Sequence, residues 1–428
     1  MLFGVLCMVA AFAVGAAAAE PVTLTIDSWR TDDYAVWRDQ IIPAYQATHP
    51  DIKLQFKPTL PEQYNATLKS HLDAGTAGDL VTCRPFDASL QLFKEGHLLP
   101  LNELKGVKNF AALSRMAWST DDGNVTYCMP VASVLHGFVY NKDAFAKLKI
   151  MPPVTVSDFF AVLDKIKADG SYIPLAIGTK DGWETASMGY QNIGPTYYKG
   201  EEGRMALIAG KNKLTDPRWV EPFRVLANWR PYLGEGFQTR SYTDSQALFA
   251  QGRAAIYPAG SWEIPGFTKK AAFKLGVFRP PVQKAWEKCY ISDHPDLAIG
   301  VNAKSLHAAE AKAFLEWVAS TSFATLYSNA LPGFFSLNKG KVELKNQLAQ
   351  EFASWRGDCG TTIRPTYHIL SRGKPNLENE FWVKGAAVIN GTQTPEAAAK
   401  VLQKGLDGWY RPDDWLSVRA AAVHVFTD

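Results

Sequence analysis

Along this chain the apolar and polar positions switch between two periods. Residues 22–26 alternate in the two-residue rhythm of a half-buried strand and run into Asp27-Ser28-Trp29-Arg30. Tyr34, Trp37, Ile41 and Tyr45 then recur at helical spacing, which predicts a helix closed by His49-Pro50. A second strand is predicted over 52–56, a helix from about 62 to 74, a glycine turn over 75–78 and a third strand over 80–83. The rhythm resumes with a helix over 158–168 and a strand over 173–177. A further helix over 244–251 leads to a strand over 254–257 that ends at Gly260-Ser261-Trp262. Strong amphipathic helices follow over 308–319 and 394–410.

Strand, helix and strand in alternation imply right-handed crossovers and a largely parallel sheet. In such sheets ligands bind in the crevice at the carboxyl ends of strands, here the loops 27–32 and 83–87. Neither turn carries a glycine-rich phosphate fingerprint, so nucleotide binding has no support. There is no fixed-period repeat and no low-complexity linker. Two α/β halves without a flexible linker imply that the chain passes between them more than once.

Residues 1–19 contain no charged side chain: an apolar run over 2–14 tapers into small residues, and the first charge is Glu20. An apolar core followed by an Ala-x-Ala step predicts a secretory signal peptide cut after Ala19, although the usual positive n-region is missing. That core falls short of the roughly 20 residues of a bilayer span and no stop-transfer charges follow, which argues against an anchor. The expectation is a soluble periplasmic protein.

A chain of 428 residues is too long for one hydrophobic core, and 47% hydrophobic with 20% charged residues is ordinary globular composition. A formal charge of +3 is too mild for a nucleic-acid binder, and no basic run carries interleaved aromatics. Cys83, Cys128, Cys289 and Cys359 remain after processing; an even number in an oxidising compartment favours disulfides, with three pairings open. No pair has the short spacing of a structural zinc site, and no cofactor or metal is predicted. Aromatics are the outlier: 13 Trp and 16 Tyr, several beside Gly, Pro or Asp, where a flat apolar face serves a ligand better than a core.

A series of segments resembles one family. These are Ala74-Gly-Thr-Ala-Gly-Asp-Leu80, Met129-Pro-Val131 leading into Tyr140-Asn-Lys-Asp-Ala-Phe145, and Phe249-Ala-Gln-Gly-Arg-Ala-Ala-Ile256. Pro258-Ala-Gly-Ser-Trp262, Ala298-Ile-Gly-Val-Asn302, Ala313-Phe-Leu-Glu-Trp317 and Phe381-Trp382 continue it. In this order they resemble the periplasmic sugar-binding proteins of ABC importers (family 1), the group that includes maltose-binding protein. The resemblance implies an α/β, type II-like two-lobe periplasmic-binding-protein fold. Each lobe is a mixed, mostly parallel sheet flanked by helices, with the ligand in the interlobe cleft. It implies lobes of 20–132 plus 297–340 and of 133–296 plus 341–428, with crossovers near 132–137, 290–297 and 338–345. It also implies hinge closure on a carbohydrate, delivery to a membrane permease, a monomeric protein, and binding without chemistry. It sets Cys83 beside Cys128 as a pair; Cys289 and Cys359 are carried as a second candidate pair.

Sugars need aromatic planes for their C–H faces and polar side chains for their hydroxyls. Trp262, behind Gly260 and Ser261, matches a stacking tryptophan of maltose-binding protein; Trp183 and Trp382 are the next aromatic candidates. Arg84 and Asp87 follow the third strand, Trp29 and Arg30 the first. Ser133 with His136, and Asp293 with His294, lie in the implied crossovers, and Arg364 stands where the resembling family is apolar. The expected ligand is a mono- or short oligosaccharide. If Arg30, Arg84 and Arg364 converge, an acidic sugar such as a uronate or sulfosugar is the alternative, since guanidinium binds carboxylate and sulfonate bidentately. A polyol is a further one. The distant alternative is a secreted glycoside hydrolase with Asp87 and Asp293 as its carboxylate pair, which no motif selects.

Overall fold

The computed structural model describes residues 21–413, so the signal peptide read at 1–19 lies outside the described residues. Ten strands run in chain order as β1 Val22–Ser28, β2 Ile52–Pro58, β3 Leu80–Cys83, β4 Met129–Asn141 and β5 Ile173–Leu175, then β6 Ala254–Gly260, β7 Leu275–Phe278, β8 Tyr290–Val301, β9 Phe335–Ser336 and β10 Gly360–Thr362. The sheet order is β2-β1-β3-β8-β4-β6-β5. Pairing is parallel for β1 with β2 and β3 and for β5 with β6, and antiparallel where β8 and β4 enter.

The two-lobe fold follows from two strands. β4 is buried along its whole length; its first half pairs with β8, while His136 to Tyr140 pair with β6. β8 pairs with β10 through its first three residues, with β4 from Asp293 to Ile299 and with β3 from Ala298 to Val301. β4 passes from β8 to β6 between Leu135 and His136, and register shifts between Pro130, Ala132 and Ser133 interrupt its ladder with β8 just before that point, as a bulge does.

Helix starts explain the offsets from the sequence reading. The predicted helices over 158–168 and 244–251 are Val156–Asp169 and Tyr242–Ala250. Thr155 and Ser241 form capping boxes with Asp158 and Asp244, so each helix begins two residues before its first acid. The helix predicted over 34–45 is present with a wide π turn at Trp37–Ile41, which buries Trp37 in a stack on Phe56, centroids 4.6 Å apart. No helix among the described residues is long and apolar enough to cross a membrane.

Both disulfides form, Cys83–Cys128 and Cys289–Cys359. The first joins the end of β3 to the start of β4 across the intervening β8. Gly300 of β8 lies beneath it: a Cβ there would stand 2.8 Å from one sulfur and 3.0 Å from the other. Closing a loop of 45 residues is worth about 4 kcal/mol on the chain-entropy account. Replacing Cys83 and Cys128 by alanine is expected to cost about that in urea denaturation. Gly300→Ala should cost about 1–3 kcal/mol in the oxidised protein and markedly less in the double-alanine background, where the crowding is gone.

Candidate ligand-binding site

Four chain turns deliver side chains to one cavity between the lobes. After β1, Trp29 and Arg30 turn inward; Arg30 forms a buried bidentate pair with Asp33 at 2.7 and 2.8 Å and lies over the Phe334 ring. After β3 comes Arg84, its guanidinium 4.4 Å from the Trp29 ring centroid, donating to Asn65 Oδ1 and the Pro61 carbonyl. Burial holds Arg84 below the usual guanidinium range, and it makes no ion pair among the described residues.

After β6 comes Trp262. A Cβ at Gly260 would fall 1.8 Å from the Trp262 ring, so glycine is what leaves the ring its place. Ser261 Oγ accepts from the Leu135 amide and donates to the Gly333 carbonyl, fixing the turn from behind. The indole Nε1 donates to Glu263 Oε1 and Tyr242 Oη, both at 3.1 Å. Beyond β5, Trp183 packs edge-on to Tyr242 at 4.6 Å. Its neighbour Gly182 lies against the Trp382 backbone, where a Cβ would meet the carbonyl at 2.9 Å. The cavity is lined by Trp29, Arg30, Arg84, Trp183, Trp262, Arg364 and Trp382 of the sequence candidates, together with Asp32, Pro61, Ser187, Tyr242 and Asp296.

The remaining candidates stand elsewhere. Asp293 makes a bidentate pair with Arg356, whose Nη2 also donates to Ser133 Oγ, and neither Asp293 nor Ser133 lines the cavity. Asp87 accepts from Arg372 at 2.6 Å and from the Ile369 amide, in a larger outer groove. Both acids cast as a hydrolytic pair are thus held by arginines. His136 and His294 are fully buried behind the cavity, their Nε2 atoms 3.1 Å apart, with the His136 ring edge-on to Trp262. His294 Nδ1 meets the Pro295 carbonyl at 2.8 Å, so its Nε2 is the acceptor that faces His136 and the Arg364 Nε. Burial, and then Arg364, holds both imidazoles well below their usual range and therefore neutral.

Five lining residues escaped the sequence reading, each for a local reason. Asp32 lies in the strand-end loop that was selected, but its neighbours Trp29 and Arg30 drew the assignment. Asp296 lies in the implied crossover, three residues past Asp293. Tyr242 opens a helix read as starting two residues later, and Ser187 sits in a π turn, Thr185–Tyr190, that no 3.6-residue period exposes. Pro61, the first residue of the helix Pro61–Ala74, offers only its ring and carbonyl.

The cavity volume is about 60 Å³. At roughly 10–15 Å³ per enclosed water, that is room for about four to six waters, the bulk of one six-membered ring with its substituents. Through Arg84, Arg364 and Trp382 it adjoins the outer groove, whose volume is about 780 Å³, walled by the helices Pro61–Ala74 and Asp87–Lys94 and by residues 364–379. Flat rings, guanidinium groups, two carboxylates and hydroxyls around a small space suit a polyhydroxylated ring better than an apolar or polyanionic ligand.

A deep cleft between two α/β lobes that share their central strands defines a receptor for a small solute. Residues 40–350 match the family of bacterial extracellular solute-binding proteins, and the chain belongs to that family. It is 22% identical over 385 residues to the multiple sugar-binding protein of Streptococcus mutans, covering 87% of this chain and 86% of the relative. It is 26% identical over 279 residues to the maltotriose-binding protein of Pyrococcus abyssi, covering 64% and 57%. Among solved structures, RafE in complex with raffinose superimposes with a TM-score of 0.74 at 22% identity, covering 90% of this chain and 99% of that one. The solute receptor AcbH, described as exclusive for β-D-galactopyranose, does so with 0.78 at 18%, covering 91% and 99%.

Arg372 bridges the outer groove beside the Ile369 amide, which also reaches Asp87. Arg372 donates to Asp87 and, through two nitrogens, to Asp121, joining the 364–376 segment to the opposite wall. These part-buried, charge-assisted contacts are worth on the order of 1–3 kcal/mol. Arg372→Ala is therefore expected to move the ligand-free protein toward separated lobes. Small-angle scattering should show a radius of gyration above the roughly 22 Å of a compact chain of this length. A wild-type radius in that variant counts against the bridge as a closing contact.

Proposed function

We propose that this protein is the periplasmic sugar receptor of an ABC importer, which traps a short oligosaccharide by lobe closure and hands it unaltered to a membrane permease. The observation that carries the reading is the cavity itself: Trp29, Trp183, Trp262 and Trp382 with Tyr242 supply flat faces, and three arginines, Asp32, Asp296 and Ser187 supply hydroxyl partners. The continuity with the outer groove supports a ligand of more than one sugar, one ring held among the aromatics and the next passing Arg84, Arg364 and Trp382. The names of the relatives support the same class of ligand. In this reading the lobes are 20–132 with 297–340 and 133–296 with 341–428, the protein acts as a monomer, and residues 1–19 direct its export.

Charge favours a neutral sugar over an acidic one. Arg30 and Arg364 already pair with Asp33 and Glu378, and the cavity adds Asp32 and Asp296. Only Arg84 is left to draw an anionic group.

A thermal-shift screen with galactose, raffinose, stachyose, maltotriose and galacturonate tests this. A neutral oligosaccharide is expected to raise the melting temperature with concentration, because it binds only the native state. Galacturonate as the strongest stabiliser would replace the neutral reading by the acidic one, and no stabilisation by any sugar would remove the carbohydrate assignment. Trp262→Ala should weaken the sugar found by at least about tenfold, roughly 1.4 kcal/mol, in calorimetry, with the fold intact by circular dichroism. Unchanged affinity would place the ligand outside this cavity.

A further inference from the structure

Behind the cavity wall sits a carboxyl group that no ligand reaches and that the binding reading above does not use. Glu263 is 2% exposed and does not line the cavity, yet two residues that do are tied to it. Its Oε1 accepts from the Tyr242 hydroxyl at 2.6 Å and the Trp262 Nε1 at 3.1 Å, with the Tyr257 hydroxyl at 3.4 Å. Its Oε2 accepts from Gln246 Nε2 at 2.8 Å. Four donors converge on one carboxylate, and one of them, Tyr242, also receives the Trp262 N–H at 3.1 Å.

We propose that Glu263 is a proton-switched positioning residue, whose ionisation state decides whether Tyr242 offers the ligand a hydrogen-bond acceptor or a donor. The inference rests on the ligand-binding reading of the cavity. With Glu263 ionised, the single hydrogen of Tyr242 is committed to Oε1, and only oxygen lone pairs remain for the cavity. A proton on Glu263 needs an acceptor within the cluster. Trp262 and the Gln246 amide nitrogen only donate, and of the two tyrosine oxygens Tyr242, at 2.6 Å, is much nearer than Tyr257, at 3.4 Å. The carboxyl then donates to Tyr242, and the tyrosine hydrogen is released toward the cavity. The proton moves onto a carboxylate oxygen and no covalent bond other than O–H changes.

The groups that face Glu263 divide on which state they favour. Tyr242 and Gln246 project from the helix Tyr242–Ala250, Tyr257 from β6 and Glu184 from the turn beyond β5. Asp32 and Arg30 stand on the segment after β1, across the cavity. Burial disfavours the charge first, and the Asp32 carboxylate adds to it; the Tyr242 and Gln246 hydrogen bonds and the Arg30 charge oppose them. The balance raises Glu263 to about 7. Glu184, also buried, is held well above the usual carboxylate range, by burial first and then by the Asp181 and Glu263 charges.

Asp32 gives the switch its direction. It stands with Arg30 on the segment after β1, so closure brings toward Glu263 both its negative charge and the weaker opposing charge of Arg30, which Asp33 already holds, and excludes water from the cluster. The closed form holds the proton more tightly than the open form. Ligand binding, which draws the protein closed, therefore takes up protons and tightens as pH falls through neutrality.

The test has a ligand-free arm and a binding arm, both on the whole exported protein. A pH titration of tryptophan fluorescence from 5.5 to 8.5 is expected to show a transition near neutrality that is absent in Glu263→Gln and in Trp262→Phe, because the carboxylate bonds to that indole. Glutamine keeps the shape and the acceptor oxygen but cannot ionise. In calorimetry with raffinose or stachyose, whichever stabilises the protein, wild-type affinity should be about three- to tenfold tighter at pH 6 than at pH 8, with proton uptake seen as a buffer-dependent heat. Glu263→Gln should bind with a flat profile. A fluorescence transition that persists in Glu263→Gln, or equal pH slopes for the two proteins, overturns the inference. If neither of these binds, the binding arm uses whichever sugar of the thermal-shift screen stabilises the protein; if none does, the carbohydrate reading has failed, and the fluorescence arm still decides whether Glu263 titrates against Trp262.

Discussion

Two buried strands belong to both halves of the molecule, and the rest of the structure hangs on that sharing. β4 is buried at every residue, and β8 is its partner at the point where the lobes meet. A strand that must satisfy its backbone groups in one sheet and then in another cannot be displaced without unpairing both, so the lobes can tilt but not part. The Cys83–Cys128 bond, laid over Gly300, clamps β3 and β4 onto β8 on the first-lobe side. On the other side, Cys289–Cys359 joins the starts of β8 and β10. The shared strands are thus braced on either side of the point where β4 passes from β8 to β6.

The same strands carry the polar groups behind the cavity. His136 lies on β4 and His294 on β8, and their contact with Arg364 links both strands to the segment that returns across the cleft. Neutral imidazoles at this place keep a fourth and fifth cation out of a site that already holds three guanidinium groups. Phe86 packs on Tyr367 and His368 of that segment, and Phe86, His368 and Ile369 all have φ between 51° and 58°. Left-handed backbone at non-glycine residues costs on the order of 1–3 kcal/mol each and persists where the surroundings enforce it. It clusters where Phe86 packs against residues 367–369 across the cleft.

The sequence made the strand-end chemistry legible and left the crossing strands opaque. Strands β1 and β2 and the helix Pro61–Ala74 were readable because each has one polar face, and β3, buried throughout, because it is a short apolar run after a glycine turn; Trp29, Arg30, Arg84 and Trp262 followed, as residues just past strand ends. β4 offers no alternation, since both faces are buried, and so its path through two sheets could come only from the family resemblance. Asp293 and Ser133 stood in the right stretch of chain, but a one-residue change of position along a strand reverses the face. Nothing local announced that Arg356, 63 residues on from Asp293, would occupy them. Glu263 was hidden for the opposite reason: beside Trp262 it reads as an ordinary surface acid, and only the convergence of Tyr242, Tyr257 and Gln246 shows otherwise.

The pairing of the cavity's charges indicates which of them a ligand alters. Arg30 is held by Asp33 through two hydrogen bonds and Arg364 by Glu378 through one, so their charges are already partnered and only their remaining N–H groups are left for a ligand. Arg84 and Asp296 are different. Arg84 has only neutral partners, and the Asp296 carboxylate, pushed above its usual range by burial, has no hydrogen-bond partner among the described residues despite three guanidinium groups nearby. Desolvating either without a partner costs several kcal/mol, more than closure of an empty cleft returns. A ring that donates one hydroxyl to Asp296 and accepts from Arg84 with another removes both penalties at once. Affinity then comes less from new contact area than from making the closed form affordable, which is why an apolar ring of the same size would not serve.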